Sequence, residues 1–390
     1  MGSVILSAKR TPIGAYLGSL SSFSAPQLGA VAIKSAVEQS GINIEEINEV
    51  IMGNVLQGGV GQAPARQAAI YAGLPIGVEC MTVNKVCGSG LKAVMLADQA
   101  IKTGDAQLIV AGGMESMSNA PYFLKKARTG FRMGHGELLD LMIHDGLWDP
   151  YKNIHMGMAG ELCSSTYNIS REEQDDYAIM SYKRALEAQE KGYFDTEITP
   201  VEITSKSGST FVKLDEEPSK VSFDKVKSLK PVFRSDGVIT AANASSIDDG
   251  AAALVVASDD YANSRGLTPI AKVLGHVSFA QQPEWFTTAP TAAIQKLLKK
   301  VGMSVEQIDL FEVNEAFSVV AMITAKNLNI PYEKMNIHGG AVSLGHPIGA
   351  SGARILTTLI YALKQTAGKY GIASLCIGGG EANALLIEMI

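Results

Sequence analysis

The sequence predicts an α/β protein of two duplicated halves, packed face to face in five layers, α-β-α-β-α, with an inserted loop domain. Three observations carry this expectation. Residues 41–55 (GINIEEINEVIMGNV) align without a gap with residues 302–316 (GMSVEQIDLFEVNEA). Each copy reads as a helix end, a short turn and an apolar strand with a polar tip, and Gly53 falls opposite Asn314. The second observation is that Cys87-Gly88-Ser89-Gly90, a helix and a strand over 106–110 ending Ala111-Gly112-Gly113 recur in the same order. The later copy is Gly349-Ala350-Ser351-Gly352, a helix over 353–365 and a strand over 372–377 ending Gly378-Gly379-Gly380. Repetition at half-chain scale implies two similar strand–helix units facing each other. Third, residues 119 to roughly 243 break the pattern: they are richer in Met, His, charge and loops. The expected division is an N-terminal half over 1–118 and 246–270, a loop domain over 119–245, and a C-terminal half over 271–390.

Taken in order, residues 4–8 read as a strand, followed by a Pro/Gly turn and a helix over 25–39. The run 1–11 enters the fold at once and shows no signal peptide. An apolar run over 78–83 ends at Asn84-Lys85-Val86-Cys87-Gly88-Ser89-Gly90, and helical periodicity follows from Leu91 to Ile101. That pattern places Cys87 at a helix N-terminus, where unpaired N–H groups and the dipole favour a thiolate. Gly88 and Gly90 are expected to permit the tight turn and the approach of a substrate. A small core cysteine would give the same octapeptide, so both readings stand on these residues alone. In the middle segment Ser170-Arg171-Glu172-Glu173 opens a helix reaching Gln189 with a capping box. Lys206, Lys213, Lys220, Lys225, Lys227 and Lys230 either form a solvated face or meet an anionic ligand. Gly58-Gly59-Val60-Gly61 lacks the spacing and the downstream acid of a dinucleotide loop.

Further on, Asn314-Glu315-Ala316-Phe317 follows a strand, where an amide holds a water or an oxygen. His346 sits in a glycine-dense turn over 339–349, a setting open to close approach, and the repeat puts that turn opposite the Cys87 loop. Cys376 ends a strand just before three glycines.

Composition narrows the class. The 390 residues allow two or three domains, and a formal charge of -6 argues against nucleic-acid binding. Cysteines at 80, 87, 163 and 376 form neither a disulfide framework nor a zinc cluster and fit a reducing, cytoplasmic setting. No apolar run approaches membrane-spanning length.

Taken together, VNKVCGSGLKAV, GGMESMS, NASSIDDGAAALV, NEAFS, GGAVSLGHPIGASGARIL and CIGGG resemble the thiolases, and among them the acetyl-CoA acetyltransferase branch. The likeness runs from Val4 to the C-terminus with the motifs in family order. It implies ping-pong acyl transfer: Cys87 takes an acetyl group from acetyl-CoA, and a second, deprotonated acetyl-CoA attacks it to give acetoacetyl-CoA. Thiolysis is the reverse. On this resemblance Cys376 is the base and acid at the substrate carbon. His346 activates Cys87 and, with a water on Asn314, meets the thioester oxygen. The N–H groups of Cys87 and Gly378 form the other oxyanion hole. These roles match what a thioester intermediate and an enolate require. Carried over by motif, Leu147, His155, Met156, Phe233, Ser245, Ala316 and Phe317 line the coenzyme A path, with Lys220 near its phosphates. Tyr182, Ala241, Ala242, Ala244 and Val342 resemble a potassium site found in one branch, and Phe286 and Tyr122 fit the same branch and a 2-methylated substrate. A homotetramer of tight dimers is implied too. Alternatives are a degradative thiolase favouring longer chains and a non-catalytic acyl-CoA binder. One departure is Glu381-Ala382, where many relatives have a small uncharged pair; the Glu381 carboxylate is expected to bond only to backbone.

Overall fold

The computed structural model describes residues 2–206 and 208–390, so Met1 of the N-terminal run and Ser207 lie outside the described residues. Nine strands form its backbone: β1 (Ser3–Arg10), β2 (Glu49–Gly53), β3 (Glu79–Val83), β4 (Leu108–Ser116), β5 (Asp248–Ser258), β6 (Ala271–Ala280), β7 (Leu310–Val313), β8 (Tyr370–Ile377) and β9 (Glu381–Met389). They run in the order β7-β8-β9-β6-β1-β5-β4-β2-β3, with the two-residue strand Gly14–Ala15 added against β5. Both halves share one plan. In the first, β2 lies parallel to β3 and β4, and β5 and β1 add antiparallel. In the second, β7 is parallel to β8, and β9 and β6 add antiparallel. A short pairing of Ser3, Val4 and Ile5 with Val273, Lys272 and Ala271 joins the two.

Strand alternation builds the layers. Val4, Leu6, Val50, Met52, Leu108 and Val110 turn outward onto helices α1 (Ala25–Ser40) and α2 (Pro64–Tyr71). Ile5, Ile51, Ile109 and Val256 turn inward onto α3 (Ser89–Thr103) and α8 (Ser351–Thr366), which also receive Leu375, Leu385 and Ile387 from the second half. The outer face of the second half, with Phe311, Val313, Ile372 and Leu386, is covered by α6 (Ala289–Val301) and α7 (Ser318–Leu328). The five layers are therefore α1/α2, first sheet half, α3/α8, second sheet half, α6/α7. Helix α8 is buried from Ser351 to Leu363, and several of its polar side chains are partnered inside the protein. Thr358 Oγ1 donates to Glu197 at 3.0 Å and the Tyr361 hydroxyl to Ala8 O at 2.8 Å.

The repeat holds at the level of backbone register. Val50 pairs with Val110, and its counterpart Phe311 pairs with Ile372. That register corrects one expected equivalence: Cys376 lies opposite Met114, so Gly112-Gly113 and Gly378-Gly379-Gly380 are not matching positions. The seam between the halves is tight. A Cβ at Gly90 would lie 2.7 Å from Ala353 N, and one at Gly352 2.3 Å from Leu91 N. Only glycine permits the two helix N-termini to approach so closely.

Between β4 and β5 the chain forms α4 (Met156–Thr166) and α5 (Arg171–Glu190) with short hairpins. Helix α5 starts with the expected capping box at Ser170 and Glu173. Helix α4 went unseen in the sequence because its residues MGMAGELCSST carry no clear apolar stripe. This segment is anchored to β1 by Arg10, fully buried with Glu197 and Asp215. Removing one partner of such a buried group costs about 3–5 kcal/mol.

Candidate active site

Cys87 stands one residue before the α3 cap, in a loop shaped in part by its own side chains. Ser89 Oγ accepts from Lys85 N at 2.8 Å and donates to Val86 O at 2.7 Å, and Asn84 Oδ1 accepts from Val86 N at 3.0 Å. The left-handed residue of this loop is not a glycine but Val86, at φ +46°. Gly88 has φ -80°, and it is small because a Cβ there would meet Ile377 Cδ1 at 2.3 Å. A β-branched residue in that region stores about 1–3 kcal/mol, a cost found mostly at functional sites.

The expected residues of the second half converge on this loop. The N–H groups of Cys87 and of Gly378, two residues beyond Cys376, both pull the Cys87 thiol down, and Cys87 and Gly378 line one cavity. Charge on Cys87 is felt at Cys376, whose thiol is driven up first by burial and then by that neighbour. His346 is 5% exposed and faces the same cavity. Its Nδ1 lies 2.6 Å from Ser351 Oγ, and its Nε2 lies 3.4 Å from Asn314 Nδ2. Because the Ser351 hydroxyl donates to Pro347 O at 2.9 Å, it accepts from Nδ1–H. Nε2 is therefore left with its lone pair turned to the Asn314 amide.

Protonation states differ from the expectation at Cys87. Burial raises its thiol to about 11, outweighing the pull of the two N–H groups, so the free protein holds a thiol rather than a thiolate. Burial first, and the nearby Arg354 charge second, lower His346 to about 3, so the imidazole is neutral. The pair is a half-buried thiol and a buried, neutral imidazole on one cavity wall.

Carboxylates fix the loops. Glu115 accepts from Val55 N (3.0 Å), Leu56 N (3.1 Å), Gly349 N (2.9 Å) and Asn54 Nδ2 (2.6 Å), tying the first half to the turn after His346. Asp248 Oδ2 accepts from His346 N at 2.8 Å. Glu315 binds Tyr177, Ser181, Asn336 and Val342 N, and so holds the strand end that carries Asn314. Asn314 Oδ1 is buried and has no partner among the described residues, a place for a bound oxygen. Sequence reasoning missed Ser351, Asp248 and the carboxylate ties, although Ser351, Asp248, Glu115 and Glu315 all lie inside quoted motifs. Glu381 also departs from expectation: its carboxylate pairs with the Lys85 ammonium, not with backbone alone.

A cavity of about 260 Å³ leads to Cys87, His346 and Gly378. Leu147, His155, Met156, Phe233, Ser245, Ala316 and Phe317 all line it. His155 caps α4 by accepting from Gly157 N at 3.1 Å and stacks on Phe233 at 4.7 Å, and Phe233 meets Phe317 edge-on at 6.2 Å. Burial keeps His155 below its usual value, and this wall is uncharged. Lys220 does not line the cavity; its ammonium rests on Glu216 at 3.5 Å and Glu217 at 3.4 Å. Tyr182 packs with Ala178 and Val342 in a separate small cluster.

Family models for the thiolase N-terminal domain and the thiolase C-terminal domain match residues 3–260 and 267–389. The chain is 51% identical over 389 residues to acetyl-CoA acetyltransferase 1 of Arabidopsis thaliana, covering 99% of this chain and 94% of that protein. It is equally 51% identical to the mitochondrial acetyl-CoA acetyltransferase of Bos taurus, covering 99% and 91%. The crystal structure of the Ascaris suum Acat5 thiolase in complex with coenzyme A superposes with a TM-score of 0.95 at 43% identity, over all of both chains.

Proposed function

The chain belongs to the thiolase family, and from that premise we infer that it is an acetyl-CoA C-acetyltransferase, joining two acetyl-CoA into acetoacetyl-CoA and CoA. The observation that carries the reading is the meeting of Cys87, the Gly378 N–H and the neutral His346 in one cavity. In the proposed cycle His346 Nε2 takes the Cys87 proton as the sulfur attacks the acetyl carbonyl. The departing CoA thiolate takes the proton of Cys376, leaving that sulfur as the base for the methyl of the second acetyl-CoA. The resulting enolate carbon attacks acetyl-Cys87, and the Cys87 sulfur leaves and recovers its proton from His346. Atoms and protons balance; Cys87 and His346 line the cavity, and Cys376 is buried where it feels the charge on Cys87. The N–H groups of Cys87 and Gly378 face the oxyanion at the nucleophile. His346 and a water on Asn314 face the enolate oxygen. Trapping tests this: acetyl-CoA should add an acetyl group to the Cys87 peptide by mass, and C87S should lose the label. A fully active C87S protein refutes the assignment. Turnover of acetoacetyl-CoA against a long 3-ketoacyl-CoA separates this reading from a degradative thiolase.

The apolar wall of Leu147, Met156, Phe233, Ala316 and Phe317, with His155 and Ser245, suits the pantetheine arm and adenine of CoA. Lys220 would reach CoA phosphates only by leaving Glu216 and Glu217. For potassium, the donor set fits a large hard cation. Among the described residues no backbone hydrogen bond ends on the carbonyls of Ala241, Ala242 or Ala244. The Tyr182 phenol is pushed up by burial and then by Glu217 and Asp248, and Asp248 Oδ1 is buried without a partner among the described residues. With Tyr182 and Val342 these groups would hold the ion and stiffen the loop carrying Ala244 and Ser245 to the cavity. Equal kinetics in potassium and sodium salts would remove this site.

Self-association is supported by the open edge of β3, where Met81 is exposed next to Ile70, Tyr71 and Ile76, and by exposed Phe131, Met133 and Leu138 beside the Tyr122–Phe123 strand. A homotetramer predicts a solution mass about four times the 41.2 kDa of one chain. No helix among the described residues is long and apolar enough to cross a membrane. Four free thiols suit the cytoplasm; a relative named mitochondrial makes fractionation the test.

A further inference from the structure

Strand β9 begins at Glu381, directly after the turn that presents Gly378, and alternate strand residues share a face. Glu381 and Asn383 both reach from that strand to the Cys87 loop. The Lys85 ammonium pairs with Glu381, and Asn383 Nδ2 donates to Gly88 O at 3.3 Å. Ser278 Oγ donates to Asn383 Oδ1 at 2.8 Å, which turns the amide nitrogen toward Gly88. Cys87 lies between these two anchors in the chain, and it shares the cavity wall with Gly378, on the turn before β9.

We propose that Glu381 and Asn383 are positioning residues, a two-point clamp through Lys85 and Gly88 that holds the Cys87 sulfur at the Gly378 N–H and so sets the rate of acyl transfer to it. The clamp rests on the acetyltransferase reading above. Two features support it. Val86, between the anchors, is left-handed, so the loop needs outside restraint to stay in this shape. The ion pair is also partly exposed, at 22% and 35%, where such pairs add little stability. Its role is then geometric, and acyl transfer is sensitive to small misplacements of the nucleophile.

The burst of CoA release on mixing with acetyl-CoA, followed in wild type, E381Q, K85M, N383A and the swapped K85E/E381K protein, tests the clamp. Each single change should slow the burst about tenfold while KM for acetyl-CoA stays within about twofold, and the swapped pair should return to within about threefold of wild type. If a charge variant fails to fold, N383A tests the same restraint with a neutral change. Alkylation of Cys87 across pH separates geometry from field. E381Q frees a cation beside the thiol and K85M removes one, so a purely electrostatic role shifts the two profiles in opposite directions. Opposite shifts, unchanged bursts, or a swapped pair no better than the single variants overturn the proposal. A wild-type protein that releases no CoA from acetyl-CoA instead refutes the acetyltransferase reading.

Discussion

The same strand–loop–helix unit occurs in both halves, and the two copies do opposite work. The first puts Cys87 at the start of α3. The second puts Gly349 there, with His346 before it and Ser351 after it at the start of α8. Asn314 answers Gly53, and Cys376 answers Met114. Cys87, Asn314 and Cys376 thus match a glycine or an apolar residue in the other copy, His346 matches Asn84, and no proposed catalytic side chain is doubled. The two copies share the frame and the seam, and the proposed chemistry divides across it, nucleophile on one side, base, amide and second thiol on the other. Ser89 and Ser351 show the division most clearly. Both hydroxyls donate to a carbonyl three or four residues back, but one accepts from Lys85 N and the other from the His346 ring.

The largest expected asymmetry is at the sulfur position. We predict that C376A lowers condensation about 10³-fold while Cys87 is still acetylated, because only the second step loses its base. M114A, at the matching place, should cost about 2–4 kcal/mol of stability and leave the acetylated fraction unchanged. Equal kinetic losses in both would break the comparison. At the seam the copies should instead behave alike. G90A and G352A each drive a methyl into backbone, and both should destabilise by about 2–3 kcal/mol in denaturant titrations; a large loss in one alone would contradict the shared packing. Smaller again, S351A frees the His346 tautomer and should lower kcat about tenfold, whereas S89A should mainly cost about 1 kcal/mol of stability.

The smallest effect is one of pH. His346 stays neutral down to about 3, and Cys87 holds its proton up to about 11. Cys87 acetylation should therefore run flat between about pH 5 and 8, and an inflection near the ordinary histidine value of about 6.5 would show that the ring is not buried. Stability carries the matching sign. The unfolded chain takes a proton on this ring below about 6.5, and the folded chain does not until about 3. Stability therefore falls as pH drops through that window.

Much of this frame was legible in the sequence because it rests on periodicity and repetition. The alignment of 41–55 with 302–316 foretold matching turns at Ile44–Glu46 and Val305–Gln307 and matching strands after them. Cys87 at the start of a helix was legible for the same reason. What stayed hidden depends on three-dimensional enclosure. A helix N-terminus suggests a thiolate, but only the depth of the site shows that desolvation overrides it. The glycines around Cys87 suggest flexible dihedrals, whereas they relieve crowding and the unusual dihedral belongs to Val86. The partner of Glu381 is Lys85, 296 positions away, and no local pattern announces a contact of that range. Helix α4 was missed because small and mixed residues packed in a loop domain need no stripe.

Strand β1 precedes the other eight strands in the chain and lies in the middle of the sheet, flanked by β5 and β6. Both neighbours belong to chain synthesised much later, the nearer ending only at Ser258. During translation the N-terminal segment therefore emerges with two unsatisfied edges and waits for more than half the polypeptide before either is covered. Holding such a segment soluble is work for a chaperone or for transient pairing among α1, β2 and β4, and yield on expression should depend on synthesis rate more than on final stability.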